Sequence, residues 1–302
     1  MKVAIIGAGN MGGALAKGWA KAAASGKMAG LDVCVTARSQ STLDKLKAES
    51  PSLGMSLSNA EAVKDADVVV LAVKPWFVEE VVAGIKKVLD YSRQTVVSVA
   101  AGVSIDQLSR MFAHKVWSNI DYDDEGRKVR QAEVDARALK DNTPDAPHCA
   151  LPAIFYAMPN IAAEYGESMT FVSASRNAAE DKVAMVTELF RLVGEVKVCE
   201  EKMVASGMMM AGCGIAYVMR YLRAMMEGGV EMGFYPADAL KIAMQTMTGA
   251  VTLLEETGMH PEQAIDKVTT PGGYTIKGLN ELDHAGFNSA VIRSLKAGLK
   301  KD

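Results

Sequence analysis

Hydrophobic positions along the chain follow two rhythms in the first two-thirds and only one thereafter. Residues 2–6 (Lys-Val-Ala-Ile-Ile) form a short apolar run rich in β-branched side chains, and residues 13–23 then read as a helix. Further strands are expected at 32–36, 67–73, 95–99, 154–157, 170–174 and 195–199. The run at 67–73 is apolar on both faces, as a parallel strand between two helical layers should be. A helix over 178–193 stops at Gly194, and Ser104 with Gln107 offers a capping box for another. From residue 203 the pattern is helical almost throughout, with long helices expected at 208–227, 236–256 and 288–301.

The first strand runs straight into Gly7-Ala8-Gly9-Asn10-Met11-Gly12. This is Gly-x-Gly-x-x-Gly in the setting its mechanism needs: strand, tight turn, helix amino terminus. The first glycine makes the turn, the second lets backbone approach a pyrophosphate, and the third allows close helix–strand packing. A dinucleotide site is therefore expected, on a sheet of Rossmann type. The end of the second strand carries Ala37-Arg38-Ser39-Gln40, with no Asp or Glu to bond a ribose 2′-hydroxyl. Arg38 offers forked donors and Ser39 a hydroxyl, which together suit a 2′-phosphate and so NADPH. Val73-Lys74-Pro75 and Ala100-Ala101-Gly102 close two further strands at the same edge, and Asn59 stands where it could cap a helix.

In the helical part, Thr269-Thr270-Pro271-Gly272-Gly273-Tyr274-Thr275 separates segments at 261–267 and 276–282. Two readings stay open: a helix–turn–helix corner with Thr275 as N-cap, or a loop whose hydroxyls and free N–H groups converge on an anion. Gly212-Cys213-Gly214 interrupts an apolar, methionine-rich run, which suggests close contact with another helix or a ligand. So helical and apolar a segment buries its own surface poorly, and a second copy of the chain is expected to cover it.

Composition narrows the class. The chain has 302 residues, 49% of them hydrophobic, and a net charge of −3, so nothing electrostatic draws it to nucleic acid or an anionic membrane. With the first strand at residue 2 no signal peptide is expected. No stretch approaches 20 uninterrupted apolar residues, so no spanning segment is expected either. Cys34, Cys149, Cys199 and Cys213 form no zinc pattern and suit a reducing cytoplasm; the histidines (His114, His148, His260, His284) are as scattered, and no metal site is expected. Charges of both signs crowd residues 113–150, which read as a surface insertion with a solvated helix at 126–140.

Together, the glycine turn, Val73-Lys74-Pro75, Ala100-Ala101-Gly102, Met158-Pro159-Asn160 and Thr-Thr-Pro-Gly-Gly-x-Thr at 269–275 resemble the pyrroline-5-carboxylate reductase family. The resemblance implies NAD(P)H-dependent reduction of a cyclic imine to proline. It implies an α/β fold with an N-terminal Rossmann-type, doubly wound and mainly parallel sheet over 1–200, and a C-terminal all-helical dimerisation domain over 201–302. Gly7, Gly9, Asn10, Met11, Gly12, Arg38, Ser39, Asn59, Val73, Lys74, Pro75 and Ala100 would line the cofactor. Thr270, Gly272, Gly273 and Thr275 would bind substrate, with Thr275 facing the ring nitrogen and the loop supplied by the partner of an interlocked homodimer. NADPH would be the cofactor, with NADH also used. The chain departs from the family pattern at Cys213, Ile215, Ile161, Ala162 and Thr270. Two alternatives follow: a related imine or hydroxy-acid reductase, for which Lys241 is the obvious helical lysine, or a non-catalytic NADP-binding protein.

Overall fold

The structure, a computed structural model, describes residues 1–113 and 151–299. The insertion expected at 113–150, with its helix at 126–140, lies outside the described residues except for Ala113. Contacts divide the chain into two compact units, Met1–Gly212 and Cys213–Asp302. Residues 201–212, which the pattern alone groups with the helical part, belong by contacts to the first unit. Val204 and Met209 are buried there, and the backbone of Gly207 lies against Phe171 so closely that a Cβ would fall 2.4 Å from its ring.

In unit 1 strands and helices alternate: β1 (Lys2–Ile6), α1 (Asn10–Ala24), β2 (Asp32–Thr36), α2 (Gln40–Glu49), β3 (Gly54–Ser56), α3 (Asn59–Lys64), β4 (Val68–Leu71), α4 (Val78–Ile85), β5 (Thr95–Ser98), α5 (Ile105–Phe112), β6 (Ala153–Met158), β7 (Ser168–Ala174), α6 (Glu180–Arg191), β8 (Gly194–Val198) and α7 (Glu201–Gly207). The eight strands make one sheet in the order β3-β2-β1-β4-β5-β6-β7-β8. All neighbours are parallel except β6 and β7. Register pairs Ile6 with both Thr36 and Leu71, and Leu71 with Ser98, so β1, β2, β4 and β5 end level with one another.

The side-chain period of two distributes each central strand between two cores. Val3, Ile5, Val68 and Val70 join Leu15, Trp19, Phe155 and Phe190 on one face. Ala4, Ile6, Val69 and Leu71 join Val82, Leu108 and Phe112 on the other. Every residue of β4 is fully buried, which is why this run reads as continuously apolar. Trp19 anchors the first core. It is fully buried, its indole Nε1 donates to the Leu189 carbonyl at 2.8 Å, and its ring meets Phe190 edge-on at 5.4 Å.

Local chemistry sets several boundaries. Ser104 and Gln107 form the expected capping box on α5, and the Glu201 carboxylate accepts a further bond from Ile105 N–H at 2.7 Å. Asn59 is not the cap of α3; Ser58 is, accepting from Glu61 N–H, and Asn59 is the first helical residue. The edge strand β3 escapes the hydrophobic pattern because it is three half-buried residues, Gly-Met-Ser. The crossover from β5 through α5 to β6 is a parallel one, so residues 113 and 151, which flank the charged segment, belong to the amino edge of the sheet.

Unit 2 holds α8 (Gly214–Glu231), α9 (Pro236–Thr257), α10 (Pro261–Lys267), α11 (Tyr274–His284) and α12 (Phe287–Ala297). The helix expected at 208–227 is not uniform, because Met208–Cys213 form a π-helical turn before α8 begins. α8 and α9 approach closely where Gly229 meets Ala239; a Cβ on Gly229 would stand 2.9 Å from that of Ala239. Among the described residues of this unit only Gly229, Ala239 and Ala243 are buried. Met219, Met232, Tyr235, Val251 and Ile292 are all exposed. The helical run Glu201–Glu231 is the long apolar one among the described residues. It is 31 residues long and holds an 18-residue window of mean hydropathy 1.3, so by length and composition alone it is apolar enough to cross a membrane. It reaches that mean through small residues and methionine with few charges, not through an unbroken apolar stretch.

Candidate functional site

The carboxyl edge of β1, β2, β4 and β5 gathers the first group of expected residues. Gly7 turns the chain with φ +107°, and its N–H donates to the Thr36 carbonyl at 3.1 Å. A Cβ there would lie 2.7 Å from the Ala72 carbonyl oxygen, and one on Gly12 only 1.9 Å from that of Gly7. Those two glycines let strand and helix touch. Gly9 differs, because a Cβ on it would meet nothing within 4 Å. Its exposed backbone faces open space, the room a pyrophosphate needs. The first intrahelical bond of α1 runs from Gly13 N–H to Gly9 O at 2.7 Å, and no side chain caps the helix. The N–H groups of Asn10, Met11 and Gly12 therefore lack intrahelical partners, and the helix dipole favours an anion in front of them.

Beyond β2, Arg38 and Ser39 are exposed, and Ser39 is the N-cap of α2 without capping it through its side chain. The Ser39 hydroxyl instead lies 2.9 Å from that of Thr42 and 3.3 Å from that of Ser41. Asn59 reaches this region through its acceptor: the buried Thr36 hydroxyl donates to Asn59 Oδ1 at 2.6 Å. Val73, Lys74 and Pro75 follow β4, and Pro75–Phe77 form a 3-10 turn. Ala100 is buried just past β5. The turn beyond it is braced from β6, because Gly102, with φ +82°, donates its N–H to the Tyr156 hydroxyl at 3.1 Å. Burial holds that phenol above its ordinary pKa, so it stays protonated at neutral pH.

The second group, Thr270, Gly272, Gly273 and Thr275, lies in unit 2 between α10 and α11. Gly273, not Thr275, is the N-cap of α11, so the capping threonine is a reading the backbone overturns. Thr275 is the second helical residue and is exposed. Gly272 has φ +70°, and Gly273 N–H closes the turn on the Thr270 carbonyl at 2.9 Å. A Cβ on Gly273 would sit 2.5 Å from the Thr270 hydroxyl oxygen. No side chain caps α11, and the hydroxyls of Thr270 and Thr275 make no hydrogen bond among the described residues. The loop thus presents hydroxyls beside an open helix terminus, donors suited to a carboxylate.

Of the departures from the family pattern, Ile161 is exposed, Ala162 and Cys213 are half-buried, and Lys241 is exposed on α9. Asn160 is buried and spans two elements. It accepts from Ala162 N–H at 2.9 Å and donates from Nδ2 to the Ala211 carbonyl, in the π-helical turn, at 3.3 Å. Among the described residues no group of three or more His, Cys, Asp or Glu could hold a metal. Thr36, Phe77 and Tyr156 belong to the edge but carry no motif. Only the apolar alternation of β2 could have pointed to Thr36; β6 is apolar throughout and singles out no residue.

Residues 2–102 match the family model described as NADP oxidoreductase coenzyme F420-dependent. Residues 200–302 match the one described as pyrroline-5-carboxylate reductase dimerisation. Pyrroline-5-carboxylate reductase 1 of Dictyostelium discoideum is 33% identical over 97% of this chain, which spans about half (48%) of that protein's length. The pyrroline-5-carboxylate reductase of Arabidopsis thaliana is 31% identical over 99% of this chain and 94% of its own. Among solved structures, Plasmodium falciparum pyrroline carboxylate reductase with NADP bound has the same fold, at TM-score 0.76 and 22% identity, covering 99% of this chain and 95% of that one. An identity of 31% sustained along nearly the whole of both chains shows the relationship: this chain belongs to the pyrroline-5-carboxylate reductase family.

Proposed function

We propose that this protein reduces 1-pyrroline-5-carboxylate to L-proline with NADPH as hydride donor. The observation that carries the reading is the open, uncapped amino terminus of α1 beside Gly9, in a chain of this family. The residues at that edge fit a dinucleotide. Asn10, Met11 and Gly12 offer N–H groups to its diphosphate, Arg38 and Ser39 receive a 2′-phosphate, and Asn59, Val73, Lys74, Pro75 and Ala100 line the rest. NADPH is accordingly favoured over NADH.

The bound nicotinamide supplies the hydride, and the remaining requirements fall to the chain. A protonated imine is already electrophilic. One C=N π bond is lost as carbon gains hydride and nitrogen keeps its proton, so no nucleophile or metal is required. The Thr269–Thr275 loop holds the substrate: the Thr270 hydroxyl and the open N–H groups at the start of α11, which Gly272 and Gly273 lead into, take the carboxylate, and the Thr275 hydroxyl orients the ring nitrogen. The protein works as a homo-oligomer built on an interlocked dimer, in which the loop serves the partner's cofactor edge. The apolar side chains that unit 2 leaves exposed, and its match to a dimerisation family, support this. The free thiols of Cys34, Cys199 and Cys213 support a cytoplasmic setting.

The test is NADPH oxidation with pyrroline-5-carboxylate by the wild-type protein and by Thr275→Ala. Losing one hydrogen bond to a charged group lowers kcat/KM by about 10- to 100-fold. Unchanged turnover and substrate affinity in the variant would refute the role given to Thr275.

A further inference from the structure

We propose that Phe77 is a positioning residue that holds the Arg38 guanidinium ready for a ribose 2′-phosphate, and so sets the preference for NADPH over NADH. The inference rests on Arg38 reading that phosphate.

Arg38 Cζ stands over the Phe77 ring, 5.0 Å from its centroid. Among the described residues Arg38 forms no ion pair or side-chain hydrogen bond, so this stack is what restrains an otherwise exposed side chain. The backbone that carries the half-buried ring is held. Phe77 closes the 3-10 turn through its N–H to the Lys74 carbonyl at 2.9 Å, and the next residue, Val78, is fully buried. Trp76 adds a second ring, 6.1 Å from that of Phe77. Sheet order makes the contact consequential. β1 lies between β2 and β4, so a residue following β2 and one following β4 meet across the carboxyl end that carries the glycine turn.

A cation over an aromatic face is held by the ring quadrupole, while the guanidinium N–H fork lies in its own plane and keeps its donors for an anion. Ser39, the next residue along the chain after Arg38, gathers the hydroxyls of Ser41 and Thr42 at the uncapped start of α2. Guanidinium, hydroxyls and helix terminus then converge on one phosphate, and the stack supplies the order. Its benefit exists only for a ligand that carries the 2′-phosphate. NADH gains nothing from it.

The experiment titrates the full-length protein by calorimetry with adenosine 2′,5′-bisphosphate and with 5′-AMP, which differ only in the 2′-phosphate. It compares wild type, Phe77→Leu, Phe77→Tyr and Arg38→Ala, and measures KM for NADPH and NADH in parallel. Phe77→Leu keeps an apolar side chain but loses the ring face. It weakens bisphosphate binding and raises KM for NADPH by about two- to fivefold, the range of an exposed cation–π contact. Affinity for 5′-AMP, KM for NADH and kcat stay unchanged, and Phe77→Tyr restores the wild-type values. Equal weakening of both probes in Phe77→Leu, or weakening of neither, overturns the proposal. If Arg38→Ala leaves bisphosphate affinity intact, the phosphate reader itself is wrong and the proposal falls with it. If Arg38→Ala weakens binding and Phe77→Leu does not, only the role of Phe77 fails.

Discussion

Replacing Gly9 or Gly12 by alanine adds the same methyl group three residues apart, with opposite expected consequences. Gly9 has φ −75° and ψ −171°, extended backbone that alanine adopts freely, and its new Cβ meets nothing within 4 Å. Alanine is a poorer N-cap than glycine, but it restricts the unfolded chain, and the two effects offset to within about 1 kcal/mol. For a unit of this size that is a melting shift within about 4 °C. The methyl instead projects into the space the diphosphate must enter. Displacing two charge-assisted N–H bonds costs about 3 kcal/mol, or roughly 100-fold in NADPH affinity. Gly12 reverses the pattern, because its Cβ would overlap the Gly7 carbonyl at 1.9 Å and crowd Ala72 at 3.0 Å. Relief requires moving α1 away from β1, at about 1–3 kcal/mol or more. Calorimetric melting and NADPH titration of both variants separate the two effects. Gly9→Ala binding NADPH within threefold of wild type would refute the open cradle, and Gly12→Ala melting like wild type would refute the close packing.

Trp19→Phe keeps an aromatic ring but leaves the Leu189 carbonyl without its 2.8 Å donor in the core, so denaturant unfolding should show a loss of about 1–3 kcal/mol. Asn59→Leu removes the acceptor of the buried Thr36 hydroxyl; stability should fall by about 1–2 kcal/mol and NADPH affinity with it, whereas Asn59→Asp keeps the acceptor and should be milder. Lys17 bridges Glu49 at 2.8 Å and Glu164 at 3.1 Å. The bond to Glu49 raises the Lys17 pKa above 10.5, and the same bond lowers that of Glu49 below 4.5. The sign follows for each group. The Glu49 contribution is present above pH 4.5 and is lost as pH falls through its lowered value, whereas that of Lys17 is lost as pH rises beyond 10.5. Glu49→Gln should flatten the acid limb of a stability–pH curve, and an unchanged limb would argue against the bridge.

Strands whose apolar residues face both layers were legible because burial alone dictates them, and β4 is the clearest case. The glycine turn was legible because close approach leaves no other residue possible at Gly7 and Gly12. What escaped depends on geometry that no spacing encodes. Ser58 and Asn59 are both good caps, and only the backbone decides that Ser58 serves while Asn59 turns to Thr36. A π-helical turn has no hydrophobic period of its own, so the methionine-rich run reads as uninterrupted helix. Phe77 follows Lys74-Pro75 as an ordinary apolar residue, and its contact with Arg38 exists only once β1 has inserted between their strands.

The attachment of the charged segment to the amino edge of the sheet bears on how this chain can be altered. Helix α5 carries the chain back along the sheet, so the two flanks of that segment, residues 113 and 151, stand about a strand's length from the glycine turn. A tag or fluorophore placed between those flanks therefore leaves the described chain at the edge opposite the one that carries Gly7, Gly9 and Gly12.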